Sequence, residues 1–243
     1  MKRKIYHYDL IDSTNIKAKE LAPIEEDGTV IVAEEQTMGK GRLGRTWVSQ
    51  KGKGIYMSMI LKPKVDMMKV SRITLIGAAA VHLALKEMGI KSKIKWPNDI
   101  LVGDKKVCGI LTEMNCDLDK MNFVIMGIGI NVNLEEDEIP EELKDRATSL
   151  KVFSGKLVDK ERLFRLVLDY FEELYSLFKD NGAMGQVLDI CKSNSSVIGR
   201  EIKVIKGKDV RVGNALDINE NGELVVEFGD GVEAINSGEV SIR

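Results

Sequence analysis

The sequence predicts an α+β protein in which a sheet packed with helices is followed by a small all-β module. Three stretches predict it. Val70 to Gly89 is one apolar run with helical period, with Ser71 able to cap it and Gly89 able to end it. Phe123 to Asn133 alternates with period two and puts Val124, Met126, Ile128, Ile130 and Val132 on one buried face. From Gly199 onward only short period-two runs remain, with Asn221-Gly222 and Asp230-Gly231 as turn signals. A polar linker, Ser193 to Ser196, lies between the two patterns. The larger domain is therefore expected over residues 1–194 and the smaller over 195–243.

In chain order, Lys4 to Leu10 can form a first strand, and Asp12 to Ala22 a helix that ends before Pro23. Asp12 or Ser13 can cap that helix. The same Ser13-Thr14-Asn15 also offers N–H groups and hydroxyls that could hold a polar ligand, and the residues alone leave both readings open. Two β-rich runs, Thr29 to Ala33 and Ile55 to Leu61, flank Gly39-Lys40-Gly41-Arg42-Leu43-Gly44-Arg45-Thr46-Trp47. Glycines there let backbone approach a ligand, while Lys40, Arg42 and Arg45 supply donors for phosphate or carboxylate. The segment reads as a cationic loop that can close over an anionic ligand. Its glycine spacing fits the dinucleotide fingerprint by letter and nearly fits a P-loop. Both need a helix after the last glycine, and residues 47–54 have no helical period.

The apolar positions of 70–89 run nearly all the way round, as in a central helix laid against a sheet. Gly103-Asp104 then marks a hairpin, and Pro97 sets Asn98 and Asp99 at a corner. Gly109, inside the next strand, signals a bulge or a close approach. Taken alone, Lys106 reads as a solvated hairpin lysine. The second face of 123–133 is Phe123, Ile125, Gly127, Gly129, Asn131 and Asn133. Its side chains vanish twice and then become amides, which favours a ligand-lining groove over a bulge. Glu135 to Arg146 is acidic, contains Pro140 and reads as a solvated loop or short helix. The hydroxyls of Thr148 and Ser149 could face the groove. A long helix is expected from about Asp159 to Lys179 with Asp159 as its cap, and a short one over about 183–192. The C-terminal module, the size of an SH3-like barrel, lacks a charged or metal cluster and reads as a docking or closing element.

Hydrophobic residues make up 44% of the chain and charged ones 30%, which suits a packed core and argues against disorder. A net charge of −2 leaves no global cationic footprint for nucleic acid, so the local cations suit a small anionic ligand. The N-terminus lacks the apolar core of a signal peptide, and no apolar run approaches the length of a membrane span. Cys108, Cys116 and Cys191 lack metal spacing, and His7 and His82 leave little scope for a histidine metal site. Reduced thiols in a cytoplasmic protein are expected.

Five blocks carry a resemblance: Asp12-Ser13-Thr14-Asn15, the Gln36 to Trp47 loop, Lys95-Trp96-Pro97-Asn98-Asp99, Lys106 to Leu111, and Gly127-Ile128-Gly129-Ile130-Asn131-Val132. Together they resemble the biotin protein ligases, catalytic domain plus C-terminal SH3-like domain, over essentially the whole chain. The resemblance implies a mixed-sheet catalytic domain of the biotin/lipoate ligase type and a two-step reaction. Biotin and MgATP give biotinyl-5′-AMP and pyrophosphate, and a lysine of a biotin carboxyl carrier domain then takes the biotinyl group. By the same resemblance Ser13, Thr14, Asn15 and Gln36 would bind the biotin head. Gly39, Lys40, Gly41 and Arg42 would order over biotin, with Lys106 and Gly109 beside it. Arg42, Arg45, Trp47, Asn98, Lys106 and Asn131 would serve ATP. The catalytic set would be Lys106 at the carboxylate and α-phosphate, Arg42, and Asp99 near the attacking lysine or the metal. No protein-held metal is expected, since Mg2+ arrives with ATP.

Those residue types suit the chemistry. A carboxylate attacking a phosphate brings two anions together, so cations must neutralise and position both. The labile acyl phosphate then needs a lid that excludes water. The family loop commonly has Arg where Lys40 stands, which turns a bidentate contact into a single-point one. Longer members carry an N-terminal winged helix-turn-helix; here the catalytic pattern starts by residue 12, so a monofunctional form is expected. No nucleic-acid or membrane partner is expected, and a homodimer through catalytic sheet edges is. Lipoate or octanoyl transfer within the same superfamily is the rival activity, and a non-catalytic biotin-binding module is the rival of another class. The cationic loop, the Lys-Trp-Pro-Asn-Asp block and the C-terminal module favour biotin ligation.

Overall fold

The computed structural model describes residues 3–117, 120–236 and 238–242. The first seven strands are β1 (Ile5–Ile11), β2 (Thr29–Gln36), β3 (Gly54–Leu61), β4 (Lys93–Lys95), β5 (Asp99–Val102), β6 (Lys105–Asp117) and β7 (Lys120–Asn131). They form one mixed sheet in the order β1-β2-β3-β7-β6-β5-β4. β1 and β2 pair in parallel because helix α1 (Thr14–Leu21) carries the chain back between them. The other neighbours are antiparallel.

One face of this sheet carries α2 (Arg72–Glu87), backed by α4 (Lys160–Phe178) and α5 (Gly185–Ser193). α2 is apolar nearly all round because it is sandwiched, and a Cβ at Gly77 would come 2.8 Å from Met126 Sδ. That bare position lets helix and strand touch. Gly89, at φ +76°, ends the helix region as expected. Ser71 does not cap it: its backbone is already helical and its side chain makes no cap hydrogen bond. By length and apolarity Met67–Glu87 would suffice to cross a membrane, which corrects the sequence reading. Here that apolar surface is spent on the sheet, α4 and α5. α4 starts where Asp159 accepts from the Arg162 N–H at 2.9 Å.

The opposite face is covered in part by α1, over a cluster of Ala18, Ala22, Ile31, Ile60, Phe123 and Ile125. Phe123 and Ile125 are thus core rather than groove, and the second face of β7 opens only from Gly127 onward. Thr148 and Ser149 are buried as well. Ser149 caps the short helix α3 (Leu150–Ser154) and donates to the Leu134 carbonyl at 2.6 Å, so neither hydroxyl faces the groove.

The C-terminal module has β8 (Glu201–Lys206), β9 (Asp209–Ile218), β10 (Leu224–Phe228), β11 (Gly231–Ile235) and β12 (Glu239–Ile242). These make an antiparallel sheet ordered β11-β10-β9-β8-β12. Trp96 Nε1–H donates to the Gly222 carbonyl at 3.0 Å and Arg72 to Asn221 at 2.7 Å, so the β9–β10 turn is pinned to the larger domain. Cys108 and Cys191 are buried, and burial pushes the Cys191 thiol up to about 12. Cys116 is exposed.

Candidate active site

A cavity of about 650 Å³ opens above the β6–β7 floor. The loop from Lys40 to Val48, the corner at 96–99, segment 134–147 and the edge of the C-terminal module wall it, while Gly39 packs against Trp47 O and Ser49 instead of lining it. The floor is bare for a reason. A Cβ at Gly127 would collide with Asn15 Oδ1, and one at Gly129 would lie 2.5 Å from the Trp47 indole. At Gly109 a Cβ would lie 2.9 Å from the same indole. Gly109 pairs regularly with Gly129, so of the two readings of that glycine the close approach holds.

At the inner end Thr14 N–H donates to Gln36 Oε1 at 2.8 Å, and Gln36 Nε2 donates to Ser49 Oγ at 2.8 Å. Ser13 stands at the N-cap position but makes no side-chain cap bond, and its own N–H goes to Asp12 Oδ1 at 2.6 Å. The three residues therefore serve the cavity wall rather than a cap. Asn15 is 4% exposed and its amide is engaged by protein, donating to Glu113 at 2.7 Å and accepting from Ser58 at 2.6 Å.

Loop 39–47 folds as a narrow hairpin, with Gly41 N–H donating to Arg45 O at 2.7 Å and Trp47 N–H to Gly39 O at 2.9 Å. Its tip is a short 3-10 turn, Arg42–Gly44, where Leu43 takes φ 56° and lies 75% exposed. No other described non-glycine residue has positive φ. Strand β3 follows rather than a helix, which removes the dinucleotide and P-loop readings. Arg42 reaches inward, donating to Asn98 Oδ1 at 2.5 Å and to the Gly238 carbonyl at 3.0 Å.

Lys106 is not the solvated hairpin lysine that it resembles in isolation. Its Nζ lies 2.7 Å from Asp99 Oδ1 and 5.4 Å from the centre of the Trp47 ring. The two form an ion pair, and Asp99 Oδ1 has no hydrogen-bond partner beside it. Asn98 Nδ2 donates to the Ile110 carbonyl at 3.1 Å, which fixes the corner, and Asn131 Nδ2 donates to the Thr148 carbonyl at 3.2 Å. Trp47 Nε1 is buried without a partner.

This set of blocks, brought to one cavity, has relatives. The biotin/lipoate A/B protein ligase family matches residues 8–131, and the biotin protein ligase C terminal domain matches 197–243. The chain belongs to the biotin/lipoate A/B protein ligase family. The bifunctional ligase/repressor BirA of Bacillus subtilis is 40% identical over 240 residues, 98% of this chain and 73% of its own length. The biotin–[acetyl-CoA-carboxylase] ligase of Mycobacterium tuberculosis is 30% identical over 237 residues, 94% of this chain and 85% of its own. The biotin protein ligase from Aquifex aeolicus in complex with biotin and ATP matches with a TM-score of 0.84 at 35% identity, over 100% of this chain and 99% of that one. Biotin–protein ligation, rather than lipoate transfer, is the activity these comparisons support.

Two parts of the cavity wall escaped the sequence reading. Segment 135–146 is not simply solvated: Glu138, Ile139, Pro140, Leu143 and Arg146 line the cavity, and Ile139 is buried. The available signal was the spacing of Ile139 and Leu143 inside an acidic run, one helical turn apart. The C-terminal module contributes Arg200, Val240 and Ser241, for which no local pattern exists. Among the described residues seven cationic side chains line this cavity against three carboxylates, so it favours anions.

Proposed function

We propose that this protein performs ligation in two steps within the one cavity. The observation that carries the reading is the arrangement of that cavity. Neutral hydroxyl and amide groups of Ser13, Thr14 and Gln36 line one part of it, Lys106 stands beside Gly109 of its floor, and Arg42 lines the same cavity from the loop. Neutral donors and acceptors suit a urea-like biotin head, and the cations suit a carboxylate meeting a phosphate. In the first step a biotin carboxylate oxygen attacks Pα of MgATP. The new acyl–O–P bond forms as the Pα–O–Pβ bond breaks, and pyrophosphate leaves.

Lys106 neutralises both reacting anions, and Arg42 holds loop 39–47 across the product. Arg45 serves the phosphates. Trp47, whose buried Nε1–H lacks an acceptor, and Asn131, which lines the same cavity, serve the nucleotide. Mg2+ would enter with ATP as part of the substrate complex, bound chiefly by phosphates and water, with Asp99 near enough to the reacting groups to meet it. In the second step a lysine amine attacks the acyl carbon and AMP leaves. As Lys106 turns to the substrate anions, Asp99 is released to orient or deprotonate that amine.

The acceptor we propose is a biotin carboxyl carrier domain, in line with the acetyl-CoA-carboxylase ligases among the relatives. Homodimerisation through the open edge of β1, a cytoplasmic location and the absence of nucleic-acid and membrane partners complete the reading. Incubating the protein with MgATP and either biotin or lipoate, then scoring acyl-AMP by mass spectrometry, tests it. Biotinyl-AMP is the expected product; lipoyl-AMP without biotinyl-AMP would overturn the reading.

A further inference from the structure

Behind the inner end of the cavity runs a chain of hydrogen bonds that lies outside the reaction's cation set. Glu113, on β6, accepts from Lys19 Nζ at 2.5 Å and from Asn15 Nδ2 at 2.7 Å. Burial pushes its carboxyl upward, but the bonds from Lys19 and Asn15 outweigh that and hold it below the usual carboxylate range. It is therefore an anion that can only accept.

That anion settles which way round the Asn15 amide lies, since only the NH2 group can face a carboxylate at 2.7 Å. Asn15 Oδ1 must then face Ser58, which is fully buried and gives its single proton to that oxygen at 2.6 Å. The Ser58 oxygen also lies 2.8 Å from Thr14 Oγ1. Two hydroxyl oxygens that close need a proton between them, and Ser58 has none left, so Thr14 must donate. Thr14 Oγ1 is 3.1 Å from Gln36 Oε1, and that longer contact is left without the hydroxyl proton. The Thr14 hydroxyl oxygen and Gln36 Oε1 thus stand as neighbouring acceptors on the cavity wall.

We infer that Glu113, acting through Asn15 and Ser58, sets the proton direction at Thr14 and so makes the pocket select a ligand that offers an N–H there. Glu113 and Ser58 are positioning residues, and the inference rests on the biotin head lying at Thr14 as proposed above. A donor from the ligand fills the two acceptors. An ester oxygen in its place leaves oxygens facing oxygens, which costs affinity.

The test compares wild type with Glu113→Ala, Ser58→Ala and Lys19→Met. Each protein is assayed with biotin and with the two cyclic-carbamate analogues in which one ring N–H is replaced by O. The readouts are KM for each acid in adenylate formation, KM for ATP, and the thermal midpoint. Wild type should prefer biotin over the worse analogue by about 100-fold or more, as expected for a site built around a ligand N–H. Glu113→Ala and Ser58→Ala should narrow that preference by about 10-fold, the worth of one buried hydrogen bond, with KM for ATP unchanged. Lys19→Met removes one of the two bonds that keep Glu113 ionised, so it should narrow the preference in the same direction and by no more than Glu113→Ala. Retained discrimination in both Glu113→Ala and Ser58→Ala overturns the inference. If Glu113→Ala does not fold, Ser58→Ala decides alone. A wild type that makes adenylate from biotin yet shows no preference over either carbamate overturns the relay alone. One that makes no biotinyl-AMP overturns the proposed function and the relay with it.

Discussion

Arg42 donates to the backbone carbonyl of Gly238 at 3.0 Å, from a guanidinium that also donates to Asn98 at 2.5 Å. A loop near the N-terminus and a module at the C-terminus therefore hold each other across the cavity. Trp96, two residues before Asn98, secures the other side of the module through Gly222. The short Trp96-Pro97-Asn98 corner is thus a joint between lid and module as well as a wall of the site.

Arg42→Gly removes both bonds and leaves the loop without its inward anchor. The adenylate is then expected to escape before transfer and to label bystander lysines, seen by mass spectrometry of a mixture of the carrier and an unrelated protein. Labelling confined to the carrier would show that the loop does not retain the intermediate.

Lys106→Ala leaves two anions to meet without the charge beside them. Loss of one electrostatic contact to the transition state is worth about 100- to 1,000-fold in rate, and a decrease of that order is expected in biotin-dependent pyrophosphate exchange. Unaltered exchange would remove Lys106 from the chemistry.

Gly129→Ala places a Cβ 2.5 Å from the Trp47 indole, which has to move. Overpacking of this kind costs about 1–3 kcal/mol, and here it should appear as a raised KM for ATP together with a change in tryptophan emission. A variant with wild-type KM and emission would mean that Trp47 yields freely and is not a fixed wall.

His82 is buried on α2, beside Ser92 at 2.9 Å. Burial, reinforced by the charge of Lys86, holds its imidazole below the ordinary 6.5. The unfolded chain then takes up this proton first as pH falls. The contribution of His82 to stability is present above pH 6.5 and is lost as pH drops toward the lower folded-state value. Thermal midpoints measured from neutral to mildly acidic pH should fall for wild type and fall less for His82→Gln. Parallel curves would rule out this histidine as a source of acid sensitivity.

Periodicity, caps and turn residues are properties of a few neighbouring positions, and they were readable. The breadth of α2, the Asp159 cap, the hairpin at Gly103 and the buried face of β7 all follow from side chains within one or two turns of each other. The five spaced blocks likewise pointed to biotin ligation before any contact was known. What could not be read was which distant group occupies each glycine's empty space. Gly127 is bare for Asn15, and Gly129 for Trp47. Nor does any local pattern connect Arg42 to Gly238, or Glu113 to Thr14 through two buried side chains. Such pairings arise only when the closed chain brings far segments within hydrogen-bond distance, because a bond of about 3 Å is short compared with the chain length between its partners.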